Sequence, residues 1–351
     1  MAEYISFQPS DFFNNVLYNG TGVAQSITGV GFQPDLTWIK CRTNAEWHNL
    51  VDAVRGDTKY SYSNSNVGEA TDSDRVTSFD ADGFTLGTDV NVNINSHTFV
   101  GWNWKAGTTS GLSGGTLTPT AYSINTTSKC GIYTYSGTGA TATIAHGLGV
   151  APGLIIVKRT DTTADWAVYQ EKNTAAPATD YLLLNLTNVT DDDVNLWNDT
   201  VPTSTVFTIK SDAKVNNGSG TYVAYCFAPV KGYSKMGSYR GNAAADGPFV
   251  YTGFRPAFVM IKNSESVQDW NTFDDKRSTS TKNTTNFLLQ PNAVAAETTG
   301  VDGTKTIDLL ANGFKVRGLN NEINKTGDTH IYMAFAEFPI VSSNDVPGVA
   351  R

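Results

Sequence analysis

Four histidines, His48, His97, His146 and His330, make up the whole imidazole inventory, and no two stand at the i, i+4 spacing that places a ligand pair on one helix face. A His-based zinc centre is therefore not expected. Cys41, Cys130 and Cys226 form an odd, widely spaced set with no Cys-x-x-Cys pair, so all three read as small buried apolar residues rather than a disulfide framework or a thiolate metal site. No Gly-x-Ser-x-Gly elbow marks a nucleophilic serine. Carboxylates concentrate in Asp80-Ala81-Asp82-Gly83 and Asp191-Asp192-Asp193, runs that suit turns and helix starts and lack the distal Glu of a calcium loop. Gly137-Thr138-Gly139 and Gly111 to Gly115 do not follow the strand-then-helix pattern of a phosphate cradle. No catalytic residue, metal or cofactor is assigned, and the chain is expected not to be an enzyme. The binding chemistry lies in tryptophan: an exposed indole stacks on the apolar face of a sugar while amides at its rim bond the hydroxyls. Trp197, set in the polar stretch Asp191 to Asp199 with Asn195 and Asn198 beside it, is the ligand-binding candidate.

The elements around these residues repeat. Gly31-Phe32-Gln33-Pro34-Asp35-Leu36-Thr37-Trp38-Ile39-Lys40 recurs as Gly149-Val150-Ala151-Pro152-Gly153-Leu154-Ile155-Ile156-Val157-Lys158 and again as Gly253-Phe254-Arg255-Pro256-Ala257-Phe258-Val259-Met260-Ile261-Lys262. Each is preceded by a Tyr-x-Gly turn at Tyr18, Tyr135 and Tyr239 and followed, seven or eight residues past the lysine, by Trp47, Trp166 and Trp270. The lysines read as solvent-facing guards of strand ends. The apolar stretches are short, β-branched and aromatic and are bounded by Gly, Asn, Asp, Ser or Pro, while helix signals are confined to turns near 49–55 and 191–196. Leu154-Ile155-Ile156-Val157 and Phe258-Val259-Met260-Ile261 fit strands buried on both faces. The expected fold is all-β, three tandem β-sandwich domains of jelly-roll or lectin-like form, each long enough to bury its own core. The boundaries are an N-terminal arm at 1–14, sandwiches at 15–107, 121–232 and 233–340, a Gly/Ser/Thr linker at 108–120 and a C-terminal tail at 341–351.

In 351 residues, Lys plus Arg is 25 against 33 for Asp plus Glu, a net charge of −8, so the chain has no basic footprint for nucleic acid or anionic lipid. No apolar run approaches the length of a membrane span, and Met1-Ala2-Glu3-Tyr4 lacks the flanks of a signal peptide. A protein made and kept soluble is expected.

Tyr4-Ile5-Ser6-Phe7-Gln8-Pro9-Ser10-Asp11-Phe12-Phe13, the Tyr18-Asn19-Gly20-Thr21-Gly22 turn, the Gly31 to Lys40 segment, Asp52-Ala53-Val54-Arg55-Gly56 and Val100-Gly101-Trp102-Asn103-Trp104-Lys105-Ala106-Gly107 resemble repeats in virion structural proteins of tailed bacteriophages, especially marine ones of the tail or fibre kind. The resemblance covers the first unit, with the second and third as diverged copies. It implies a non-enzymatic structural protein of the virion, assembled in the host cytoplasm and contacting other virion proteins. It would be exposed for attachment to a host-surface glycan, through loops such as Ser61 to Ser78, Thr187 to Thr200 and Val294 to Lys305. A homo-oligomer is expected, a trimer or three tandem units standing in for one. The alternatives are a head-surface decoration protein anchored by its arms and an enzyme degrading envelope polysaccharide through paired carboxylates.

Overall fold

The computed structural model describes residues 5–278, 283–299 and 304–339. The apolar runs that end in lysine become the strands Leu36–Cys41, Leu154–Arg159 and Phe254–Asn263, and each is the third member of a common strand order. In the first large sheet that order is Phe13–Asn19, Thr98–Trp104, Leu36–Cys41, Asn49–Asp52. In the second it is Cys130–Ser136, Thr221–Phe227, Leu154–Arg159, Ala167–Gln170, and in the third Ser234–Arg240, Thr329–Pro339, Phe254–Asn263, Trp270–Asp274. A smaller antiparallel sheet accompanies each, centred on Gly83–Leu86, Val206–Ile209 and Gly313–Val316. The protein is all-β. Its α-helices are single turns, such as Val90–Asn93 and Val194–Trp197, and none among the described residues is long and apolar enough to cross a membrane.

Alternation along the central strands explains why they read as buried on both faces. Ile39 packs with Phe84 and Leu86 of the small sheet, whereas Leu36 and Trp38 face away from it into a second cluster. Ile155 and Val157 divide from Leu154 and Ile156 in the same way, as do Val259 and Ile261 from Phe258 and Met260. The outward faces of all three large sheets meet in one shared core. At its centre the residues in matching register, Trp104, Phe227 and Phe335, form a triangle with ring centroids 5.9, 5.7 and 5.6 Å apart. Each large sheet therefore buries one face against its own small sheet and the other in a common core. Truncating any ring of this triangle to alanine would cost about 3–5 kcal/mol.

The Tyr-x-Gly turn has one mechanical explanation at all three sites. The hydroxyls of Tyr18, Tyr135 and Tyr239 donate to the carbonyls of Val92, Val215 and Ile323, each just before a buried asparagine, Asn93, Asn216 or Asn324. Those asparagines accept the backbone N–H of Thr21, Thr138 and Asn242. A Cβ at Gly20, Gly137 or Gly241 would run into the carbonyl oxygen of Ile94, Asn217 or Lys325. Close backbone approach is what requires glycine there.

The repeated lysines are not solvent-facing guards. Lys40, Lys158 and Lys262 are fully buried, and each donates to carbonyls of its own turn and of a neighbouring sheet's loop. Lys158 Nζ reaches Asn66 O at 3.0 Å, Lys262 reaches Thr187 O at 3.2 Å and Lys40 reaches Val294 O at 3.1 Å. Second holds first, third holds second, and first holds third, so the contacts close into a ring. Backbone bonds follow the same circuit, Glu69 N to Thr160 O, Thr190 N to Ser264 O and Glu297 N to Arg42 O. A lone strand-end lysine reads as a surface residue because the acceptors that complete its shell lie 75 to 254 residues away in sequence; an ammonium is buried only where carbonyls replace its water. The stretches expected to carry host recognition, Ser61 to Ser78, Thr187 to Thr200 and Val294 to Lys305, supply those acceptors; residues 300–303 lie outside the described residues.

Residues 5–14 pack onto the shared core through Phe7 and Phe12, which meet Tyr233 edge-on at 5.5 and 6.4 Å. The Gly/Ser/Thr stretch 108–120 is held to the second pair of sheets by bridges from Thr108 to Ile124 and from Gly115 and Leu117 to Ile144. The tail at 341–351 lies outside the described residues.

Candidate functional site

Trp197 is buried, not exposed as its sequence surroundings suggest. Asp193 caps the one-turn helix Val194–Trp197 by accepting the N–H of Asn195, and Asn198 ends it in the left-handed region at φ 53°. The turn directs Leu196 and Trp197 inward, where the indole meets Tyr169 at 6.1 Å. Asn195 bonds Asp193 and Asn198 is half-buried, so the three residues do not form a sugar platform. The charges of this stretch are cap and turn residues, and that is why they do not report exposure. Asp82 does the same in its turn, accepting the N–H of Gly29 and Gly31.

The exposed indole belongs to Trp47, 37% accessible. Tyr60 and Tyr62 sit two residues apart on Lys59–Tyr62 and so share one face of the strand. Trp47 stands 4.6 Å from the Tyr62 ring, Tyr62 stands 5.2 Å from Tyr60, and the Arg75 guanidinium lies 3.6 Å over Tyr60. The rings form an aromatic ledge tilted by 39° and 61° from one to the next, with buried Arg75 covering one face of Tyr60. Arg75 is fixed by Asp89 at 3.1 Å, Asp72 at 3.6 Å, Asn49 Oδ1 at 2.6 Å and Tyr62 Oη at 3.0 Å. Burial pushes the Tyr60 hydroxyl up to about 12, against the opposing pull of Arg75, so it keeps its proton at neutral pH. Flat apolar faces beside fixed donors and carboxylates are what stacking on a pyranose ring requires.

Comparison of the sheets shows why the ledge is confined to the first. Strand pairing places His48, not Trp47, in register with Trp166 and Trp270: Lys262 pairs with Trp270, and the pairs next along, Ile39–Asn49 and Val157–Ala167, match. The amides of Asn64, Asn185 and Asn292 accept the N–H of His48, Trp166 and Trp270. In the second and third sheets the same asparagine donates to the preceding residue, Asp165 at 2.8 Å and Asp269 at 2.7 Å. In the first sheet that aspartate is replaced by Trp47. The signal was in the sequence: the spacing from lysine is seven residues at Trp47 and eight at Trp166 and Trp270. Buried His48 accepts the Trp38 indole N–H at Nδ1, and burial holds its pKa well below the usual imidazole value.

No curated protein and no solved structure matches this sequence. The match is to a domain of unknown function, DUF7483, over residues 8–339, which takes in all three large sheets, and the chain belongs to that family.

Proposed function

We propose that the chain is a non-enzymatic structural protein of a tailed-phage virion, built from three tandem copies of one β-sandwich closed into a ring within a single polypeptide. It is tail-associated and presents the Trp47–Tyr62–Tyr60 ledge to a host-surface glycan. The carrying observation is the ledge: a half-exposed indole replaces a pinned aspartate in one copy only, beside two tyrosines and a clamped arginine. The lysine circuit supports the ring, and a family match that spans all three copies supports the ring as the unit rather than the single sandwich. The resemblance of the first copy to phage tail and fibre repeats supports the virion setting. The test is binding of the purified chain to host cells and to their extracted surface polysaccharide. Trp47→Ala should weaken binding about tenfold or more with the melting temperature nearly unchanged, and Tyr60→Ala should weaken it as far at some cost in melting temperature, because its ring also packs on Arg75 and on the core beneath. Undiminished binding by both variants would remove the ledge from the proposal.

A second reading, decoration of the head, draws on the same ring, because a threefold block matches a threefold position on a capsid surface. Immunolabelling of intact particles separates the two: label on the tail supports attachment, label over the head supports decoration.

A further inference from the structure

Ser234–Arg240 and Phe249–Tyr251 are each the edge strand of their sheets. Between them runs an open groove of about 320 Å³, lined by Lys172, Lys235, Ser238, Phe249, Tyr251 and Tyr332. Phe249 and Tyr251 are 46% and 54% exposed. Inward bonds from Val316 N to Pro248 O and from Thr252 N to Asn312 O fix the alternation, so the N–H and C=O of Phe249 and Tyr251 point out into the groove. Tyr251 O takes Lys235 Nζ at 2.7 Å.

The second copy fills the equivalent place with its own chain. Ala121–Asn125 pairs with Cys130–Ser136, the counterpart of Ser234–Arg240. Thr116 and Leu117 both donate to Thr143 O, the counterpart of Phe249, and the Thr143 N–H goes to Thr116 Oγ1. Leu117 and Ile124 are buried there, with Leu112 and Tyr122 packed beside them. The third copy has no chain to spare, because only Ala228 to Tyr233 separates Thr221–Phe227 from Ser234–Arg240. The first copy's edge, Gln25–Ile27, is polar and lacks paired exposed aromatics. Among the described residues, one edge is polar, one is covered, and one is open and aromatic.

We propose that this groove docks an extended segment of a partner protein by strand addition, apolar at alternate residues and carrying carboxylates toward Lys172 and Lys235. The inference rests on the three-copy reading, since the second copy supplies the pattern of the occupant. Charge supports an acidic segment: among the described residues no carboxylate pairs with Lys235, and Lys172 has only its neighbour Glu171 at 3.6 Å.

The probe is a synthetic peptide with the sequence of residues 109–125 carrying Asp at the position of Thr120, titrated into the full chain alongside the unmodified peptide. Saturable binding of the acidic peptide is expected, with amide exchange at Ser238 and Phe249 slowed about tenfold or more and the unmodified peptide binding more weakly. The double variant Phe249→Lys, Tyr251→Lys changes two exposed side chains, and a wild-type melting curve will show that it folds; it should abolish the protection. The proposal falls if neither peptide slows exchange or if the double variant binds equally well. It also falls in favour of a second copy if the chain alone dimerises with concentration and the double variant does not. The three-copy reading is tested separately, by the lysine and arginine variants below.

Discussion

All three junctions in the ring bury a lysine ammonium, but two of them also carry a buried arginine–carboxylate pair in a slot that is neutral at the third. Where the second sheet meets the first, Asp52 accepts Arg55 Nε at 2.6 Å and the Tyr225 hydroxyl at 2.7 Å, and Arg55 reaches Glu69 at 3.1 Å. Where the first meets the third, Asp274 accepts Arg277 Nε at 2.5 Å and the Trp102 indole at 2.9 Å, and Arg277 reaches Glu297 at 3.0 Å. Where the third meets the second, the matching positions are Gln170, Asn173, Thr190 and Met333. Gln170 donates to Gly237 O at 3.1 Å, and Thr190 bonds Asn173 at 2.8 Å. Met333 cannot donate as Trp102 and Tyr225 do, so the side chain that accepts at the other junctions becomes an amide that donates. The slot needs satisfied polar atoms, not charge. Desolvation offsets much of what a buried ion pair gains, so the neutral junction need be no weaker.

The largest expected effect comes from breaking a charged junction on one side. Arg277→Met strips the counter-charge from deeply buried Asp274 and leaves Glu297 with Arg42 alone, and should cost about 3–5 kcal/mol in chemical denaturation. If it costs no more than a neutral-junction variant, the distinction between junctions is wrong.

Next in size is a pH effect common to all three junctions. Burial lowers the pKa of Lys40, Lys158 and Lys262 from 10.5 to about 8. At these three sites the unfolded chain therefore holds more protons between pH 8 and 10.5, and the lysine contribution to stability rises with pH across that window. The cost of the buried ammonium is fully present below pH 8. Each lysine should add about 1 kcal/mol per pH unit at most. The buried thiols Cys41, Cys130 and Cys226 are pushed up by burial and oppose the rise from about pH 8.5, and buried tyrosines such as Tyr225 and Tyr239 add to that opposition towards about pH 10, so the lysine contribution is read as the difference in slope between the chain and Lys262→Met. An unchanged slope in that variant would mean that the amine is hydrated. Lys262→Met should remove about 1 kcal/mol per pH unit of slope and, by leaving the carbonyls of Thr187, Asn263 and Ser266 short of a donor, cost about 1–3 kcal/mol at neutral pH.

The repeat frame was legible because its residues act locally. Tyr-x-Gly, the proline-led strand and its apolar run each do the same job three times, and the all-β texture follows from them. The shared core was visible only as an unexplained excess: strands apolar on both faces imply two partners, and one copy supplies one. The lysine ring was hidden because each acceptor belongs to another copy. Trp197 misled because cap residues and exposed residues have the same composition, whereas Trp47 sat one residue out of register with the tryptophans it was grouped with. The open edge at Phe249–Tyr251 is legible only beside the second copy, whose extra chain covers the same place.

The smallest expected effect sharpens the comparison most. Gln170→Leu puts a shorter, apolar side chain in place of a buried amide in the neutral slot, where the amide makes one bond across to Gly237 and accepts the N–H of Lys172. The apolar replacement leaves two backbone groups without that partner but adds buried methyl surface and removes the desolvation of an amide. These terms nearly cancel, so the expected loss is within about 1 kcal/mol. The same experiment at the matching charged position, Asp52→Leu, removes one ion and leaves Arg55 buried with Glu69 as its remaining carboxylate. Its cost should approach that of Arg277→Met. Denaturation of the two leucine variants side by side therefore measures the slot rather than the residue: a wide gap supports the assignment of arginine–carboxylate pairs to two junctions only, and equal losses would mean that the pairs add nothing to packing.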